Sequence, residues 1–262
     1  MATNKFKDLI SSIHALNESD VVSVYIPSLK KETPFSPLSV KQQKDILATG
    51  VDASVENLSF MNMMNKIIQD NIKDKKIRIL TCDKPLILLQ MRRHAVSNTL
   101  KISTKHADYE IDLEKHIEEC KRQLEKPLKK TFEVTHGTIT LTGKVPDLET
   151  DTKYNKHFTR STKKNAGGNK VNITDIIGEI YITELVKYID TITIGDISVN
   201  VAEDVSTKDA IEVFETLPLQ VSTKLAATVK ELREFESSCL SPADLPSDVN
   251  ITIDAGLFTS AD

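Results

Sequence analysis

Apolar residues recur at helical spacing in several separate stretches and in short β-branched runs in others, so the chain reads as short helices mixed with short strands. Phe6, Leu9, Ile10, Ile13 and Leu16 predict an amphipathic helix over residues 4–17. Residues 21–26 are β-branched and read as a strand. Pro34 and Pro37 keep the next segment extended, because proline fixes its own φ and disfavours helical geometry in the residue before it. Ser39 then reads as the N-cap of a helix over residues 40–48, stopped by Gly50. Val55, Leu58, Met61, Met64, Ile68 and Ile72 form one stripe of a longer helix, in which Met61, Met63 and Met64 serve as adaptable core filler. Residues 76–80 read as a short strand or a helix tail. Asp83 is the expected N-cap of an apolar helix over residues 85–96, with Pro85 in its first turn.

Downstream, Leu100, Ile102, Tyr109 and Ile111 predict a hairpin turned around residues 106–108. A charged helix follows over 116–125 and ends at Pro127. Residues 132–134 and 138–141, joined at His136-Gly137, predict a second hairpin. Residues 149–170 hold six basic and two acidic residues and end in a glycine pair, which reads as a basic, mobile linker. Ile176, Ile177, Ile180, Tyr181, Leu185 and Ile189 place a helix over 173–189. A hairpin around Gly195-Asp196, a helix from Ser206 to Thr216 and another carrying Val221, Leu225, Val229 and Leu232 come next. Residues 249–258 read as a final strand. No internal repeat is visible. The expected class is therefore α+β, with mostly helical N- and C-terminal parts and a small β-rich middle insertion. The expected organisation is an α/β region over 1–97, a β-rich region over 98–148, the linker over 149–170 and an acidic α+β region over 171–262.

Charge sharpens that division. Residues 1–170 carry 29 Lys/Arg against 21 Asp/Glu, or +8, and residues 171–262 carry 5 against 17, or -12, which together give the net charge of -4. Such a split marks either two domains or two surfaces meant for different partners. With 262 residues, 39% hydrophobic content and no tryptophan, a core of Ile, Leu, Val and Met is expected. No apolar run approaches the length of a membrane span, and the N-terminus lacks the apolar region of a signal peptide. Cys82, Cys120 and Cys239 are odd in number and far apart, which fits reduced thiols.

Catalytic frames are missing from the sequence. There is no phosphate-binding loop, no nucleophile elbow and no zinc-protease frame among the six histidines. His116 and Cys120 stand at i, i+4, a spacing open to two metal ligands, but no second pair accompanies them, so no metal or cofactor is assigned. The basic run 121–130 lacks the aromatics that would stack on bases, which argues against nucleic acid. Arg92-Arg93 is the notable polar feature, because a guanidinium on an apolar helix needs carboxylates or carbonyls for its five donors.

Two stretches carry a family resemblance: Ile26-Pro-Ser-Leu-Lys-Lys-Glu-Thr-Pro-Phe-Ser-Pro-Leu-Ser-Val-Lys and Cys82-Asp-Lys-Pro-Leu-Ile-Leu-Leu-Gln-Met-Arg-Arg-His-Ala-Val-Ser. Together they resemble the T4-like baseplate hub subunits and hub-assembly proteins of contractile-tailed phages, with the later segments in the family's order. Relatives carry cysteine pairs where this chain has Ser103 to His106 and a single Cys239, so zinc is not carried over. The resemblance implies a non-enzymatic structural or assembly component of the central hub, located in the virion tail baseplate and assembled in the host cytoplasm. It implies partners among other baseplate and hub proteins, and no small-molecule substrate. A hub-assembly chaperone absent from the mature virion is the alternative, and a nucleic-acid-binding module is a remote one. The expected structural or interaction residues are Ile26, Phe35, Pro37, Leu38, Arg92 and Arg93, with Lys163 and Lys164 as basic contacts. Phe35 and Leu38 are expected to pack on the 85–96 helix, with Arg92 or Arg93 capping carbonyls freed by the prolines.

Overall fold

The computed structural model describes residues 5–7, 9, 11–13, 19–49, 57–165 and 173–259. Two apolar cores organise them. The first begins with a hairpin, β1 (Val22–Ile26) and β2 (Lys31–Phe35), joined by a 3-10 turn over Pro27–Leu29. Lys30 closes that turn at φ 51, a left-handed conformation that side chains rarely adopt. Helices α1 (Val40–Thr49), α2 (Asn57–Asn71) and α3 (Lys84–Ala95) follow. As expected, Ser39 caps α1: its hydroxyl accepts the Gln42 N–H at 3.2 Å, while the Gln42 side chain accepts the Ser39 N–H at 3.0 Å. Hairpin β3 (Thr99–Ser103) and β4 (Asp108–Asp112) then leads into α4 (Leu113–Gln123), capped by Asp112.

The second core is built on a four-stranded antiparallel sheet in the order β5 (Thr131–His136), β6 (Ile139–Lys144), β7 (Ile189–Ile194) and β8 (Ile197–Asn200). Gly137 and Gly195 hold φ near +60 in the two tight turns, the conformation these hairpins demand. Between β6 and β7 lie α5 (Leu148–Asn165) and α6 (Ile173–Val186). After β8 come α7 (Val201–Asp204), α8 (Thr207–Glu215), α9 (Leu219–Leu232) and α10 (Glu234–Leu240). Chain order does not separate the cores. Phe235, Cys239, Ile251, Leu257 and Phe258 return to the first core, while Cys82 enters the second.

The class is α+β, as the patterning implied, but several local expectations fail. The stretch read as a mobile linker is helical through Asn165, because Leu148, Asp151, Tyr154, Asn155 and Phe158 form one buried stripe. Two of those five are polar, which hid the period. The final segment is not a strand: Ile251 donates its N–H to the Leu240 carbonyl, and a 3-10 turn, Ala255–Phe258, follows. Residues 76–80 form neither strand nor helix; a Leu80–Asp147 bridge and single hydrogen bonds, such as that from the Leu148 N–H to the Ile79 carbonyl at 3.0 Å, order them. The β-rich middle divides, with hairpin β3–β4 in the first core and β5–β6 paired to β7 in the second. Of the expected N-terminal helix, residues 5–7, 9 and 11–13 are described and are helical, while Gly50 and the 167–168 glycine pair lie outside the described residues.

Candidate functional site

The two stretches that stood out in the sequence meet in space. Ser28, in the turn between β1 and β2, donates its N–H to Asp83 Oδ1 at 2.6 Å and its hydroxyl to Oδ2 at 2.7 Å. Asp83 Oδ2 also accepts the Leu80 N–H at 2.9 Å, and Lys130 donates to the Ser28 carbonyl. Asp83 stands at the N-cap of α3 as expected, but its side chain makes no cap bond; its carboxylate is aimed at the hairpin. Burial raises its pKa, against the hydrogen bonds from Ser28 and Leu80. About two turns along α3, Gln90 grips β1 from its free edge. Its Oε1 accepts the Tyr25 N–H at 2.8 Å, and its Nε2 donates to the Tyr25 carbonyl at 3.0 Å. A side-chain amide thus takes the place of a neighbouring strand.

Ile26 and Phe35 are fully buried in the same core as Leu86, Leu88, Leu89 and Met91 of α3, and Leu38 packs partly buried against it; Pro37 is half-buried. Arg92 is buried and meets carbonyls, but not those of the proline segment. Its Nε donates to the Leu257 carbonyl at 3.1 Å and its Nη1 to the Ser97 carbonyl and hydroxyl, so it ties the C-terminal turn to the end of α3. The Pro34 carbonyl is taken instead by the Lys73 N–H at 3.0 Å. Arg93 is half-exposed, 3.6 Å from Glu114. Lys163 and Lys164 fall in the last turn of α5, far along the chain from this clasp.

A second polar cluster lies where the cores join, and sequence reasoning missed it. Asp151 on α5 is buried between Lys187 at 2.7 Å and Lys84 at 3.5 Å, and also accepts from Asn65 at 2.7 Å. Lys187 continues to Glu184 at 2.6 Å, Glu184 to Arg233 at 3.7 Å, and Arg233 to Glu236 at 2.6 Å. Burial alone would raise the Asp151 pKa, but Lys84 and Lys187 outweigh it and hold the carboxyl well below the usual range. Lys187 is raised by Glu184 and Asp151 despite burial. The cluster borders a cleft of about 350 Å³ lined by Leu58, Met61, Phe158, Ile180 and Tyr188. Lys84 beside Pro85, at the mouth of an apolar helix, was the one local hint.

His116 and Cys120 are also buried. The ring Nε2 of His116 stands 2.8 Å from the Cys239 carbonyl and 3.7 Å from Cys120 Sγ. A hydrogen bond from Cys239 lowers the Cys120 pKa to about 6 against burial, with His116 adding to the effect. All three cysteines are free thiols, and His106 sits apart in the exposed turn between β3 and β4. Among the described residues, no group of three or more His, Cys, Asp or Glu is placed to hold a metal ion, and no helix is long and apolar enough to cross a membrane.

A family model described as T4 bacteriophage base plate protein matches residues 19–239, a span that runs from before β1 into α10 and takes in both cores. No curated protein and no solved structure matches the chain.

Proposed function

Because the chain belongs to the T4 bacteriophage base plate protein family and is thereby a component of a phage tail baseplate, we propose that it is a non-enzymatic structural or assembly part of the central hub. In this reading it is built into a contractile tail in the host cytoplasm, and its partners are other baseplate proteins. The observation that carries the reading is the extent of the family match, which covers the clasp, the junction, the second core and most of the first. The buried polar groups fit it: in both clusters they hydrogen-bond or ion-pair between elements distant in the chain, which is structural work. Mass spectrometry of purified virions tests the proposal. A hub subunit is expected at a stoichiometric level beside the other tail proteins. Absence from virions, in a phage that fails to build baseplates without the protein, would replace it with the assembly-chaperone reading.

A further inference from the structure

A cleft of about 1040 Å³ opens between the segment after α2 and the outer face of α5. One wall carries Lys75, Lys76 and Arg78, and the other carries Lys153, Lys156 and Arg160, all exposed. Against these six cations the lining offers two acids, Asp147 and Glu149. Asp147 is already engaged, 3.7 Å from Arg78 and accepting the Thr150 N–H at 2.8 Å. Lys75 is turned onto the carbonyls of Gln69 and Asp70 at the end of α2. Among the described residues, no ion pair joins Lys76, Lys153, Lys156 or Arg160. Positions 153, 156 and 160 follow one helix face. Of the apolar residues in the lining, Ile72, Ile79 and Leu148 are buried in the first core and Ile77 is partly exposed, so the surface the cleft offers is chiefly basic.

We propose that this cleft docks an acidic segment of a neighbouring protein, its carboxylates on the two basic walls. The charge pattern argues for a carboxylate-bearing partner, since like-signed exposed side chains facing one another across a groove repel until an anion enters. No Phe, Tyr or Trp lines the cleft to stack on bases, which argues for a protein partner rather than a single-stranded nucleic acid. This inference rests on the reading of the chain as a baseplate component with protein partners, and gives that partner a chemistry.

The test uses the full chain and a fluorescein-labelled synthetic helix bearing glutamates, followed by fluorescence anisotropy at low and at physiological salt. Binding is expected at low salt and should weaken as salt rises, because exposed charges are screened. Reversing Lys153, Lys156 and Arg160 together to Glu should weaken binding by about tenfold or more, since exposed ion pairs are worth up to about 1 kcal/mol each and tenfold is about 1.4 kcal/mol. Reversing Lys101 and Lys105, on the β3–β4 hairpin, should leave it unchanged. A version of the peptide with glutamine for glutamate should bind more weakly, which ties binding to the carboxylates. All of these side chains are exposed, and circular dichroism would confirm that the variants stay folded. Equal binding by wild type and the triple reversal would overturn the proposal. So would tighter, cleft-dependent binding of oligothymidylate, which would make the cleft a nucleic-acid groove. The virion measurement is independent: the protein can be a virion subunit whether or not the cleft binds acid.

Discussion

Asp83 and Asp151 are both buried aspartates, one in the clasp of the first core and one at the junction of the two cores, and they are held in opposite ways. Asp83 is surrounded by neutral donors, the Ser28 N–H and hydroxyl and the Leu80 N–H, and burial wins: its pKa rises. Asp151 has two ammonium groups within 3.5 Å, and Coulomb attraction wins over burial: its pKa falls. The lesson concerns what each site can tolerate. Neutral donors fix the turn geometry of a hairpin and lose little if one is removed. A buried charge trio is balanced as a unit, so the loss of one member strands the others in a low-dielectric surrounding.

The strongest way to break the contrast is Asp151→Ala. Lys84 and Lys187 would then lose their shared carboxylate, at an expected cost of about 3–5 kcal/mol, the range for breaking a buried pair. Chemical denaturation should show a midpoint shift far larger than for any exposed lysine. A loss under about 1 kcal/mol, the scale of an exposed pair, would mean that water reaches the junction and the trio is in effect a surface cluster. Within the first core, Phe35→Ala should cost a comparable 3–5 kcal/mol by leaving a cavity, since the ring is fully buried. Lys30→Ala should hardly move the melting temperature, because the exposed lysine is replaced by a residue with the same left-handed strain. Ser28→Ala is a smaller change, about 1–3 kcal/mol, because Asp83 keeps the two backbone donors.

The two aspartates should also separate by pH. A depressed folded pKa, as at Asp151, gives stability that is present above the unfolded value of about 3.9 and is lost as pH falls through the lower folded value. The stability gap between wild type and Asp151→Asn should therefore shrink as acid is added below about pH 4. A raised folded pKa, as at Asp83, does the reverse: its contribution is full below about pH 3.9 and fades as pH rises through the folded value. The gap between wild type and Asp83→Asn should therefore narrow on raising the pH. Thermal melts of both variants across the acid range check the pair, and parallel curves would refute the distinction.

Much of the clasp was legible. Proline and β-branched residues marked the hairpin, a capping serine marked α1, and apolar spacing marked α2 and α3, each being a signal carried within a few residues. Sequence placed Phe35 and Leu38 on the α3 helix, and both belong to that core. It assigned Arg92 the right kind of partner, carbonyls, but the wrong ones, because Leu257 comes near only when the C-terminal turn folds back. The basic stretch after Leu148 was misread because Asp151 and Asn155 occupy its buried stripe, and polar residues there conceal the helical period.

Alone, then, the sequence determined the local elements, the α+β class, the division of charge and the two stretches that carry the family likeness, since each is written in neighbouring residues through backbone preference or apolar periodicity. Tertiary structure decided which strands share a sheet, how the C-terminal segment joins the first core, and which charges are buried together. Asp151 meets Lys187 from 36 residues away. A carboxylate and an ammonium so far apart in the chain look like any two solvated charges, and only burial in a shared low-dielectric site couples them into one structural unit.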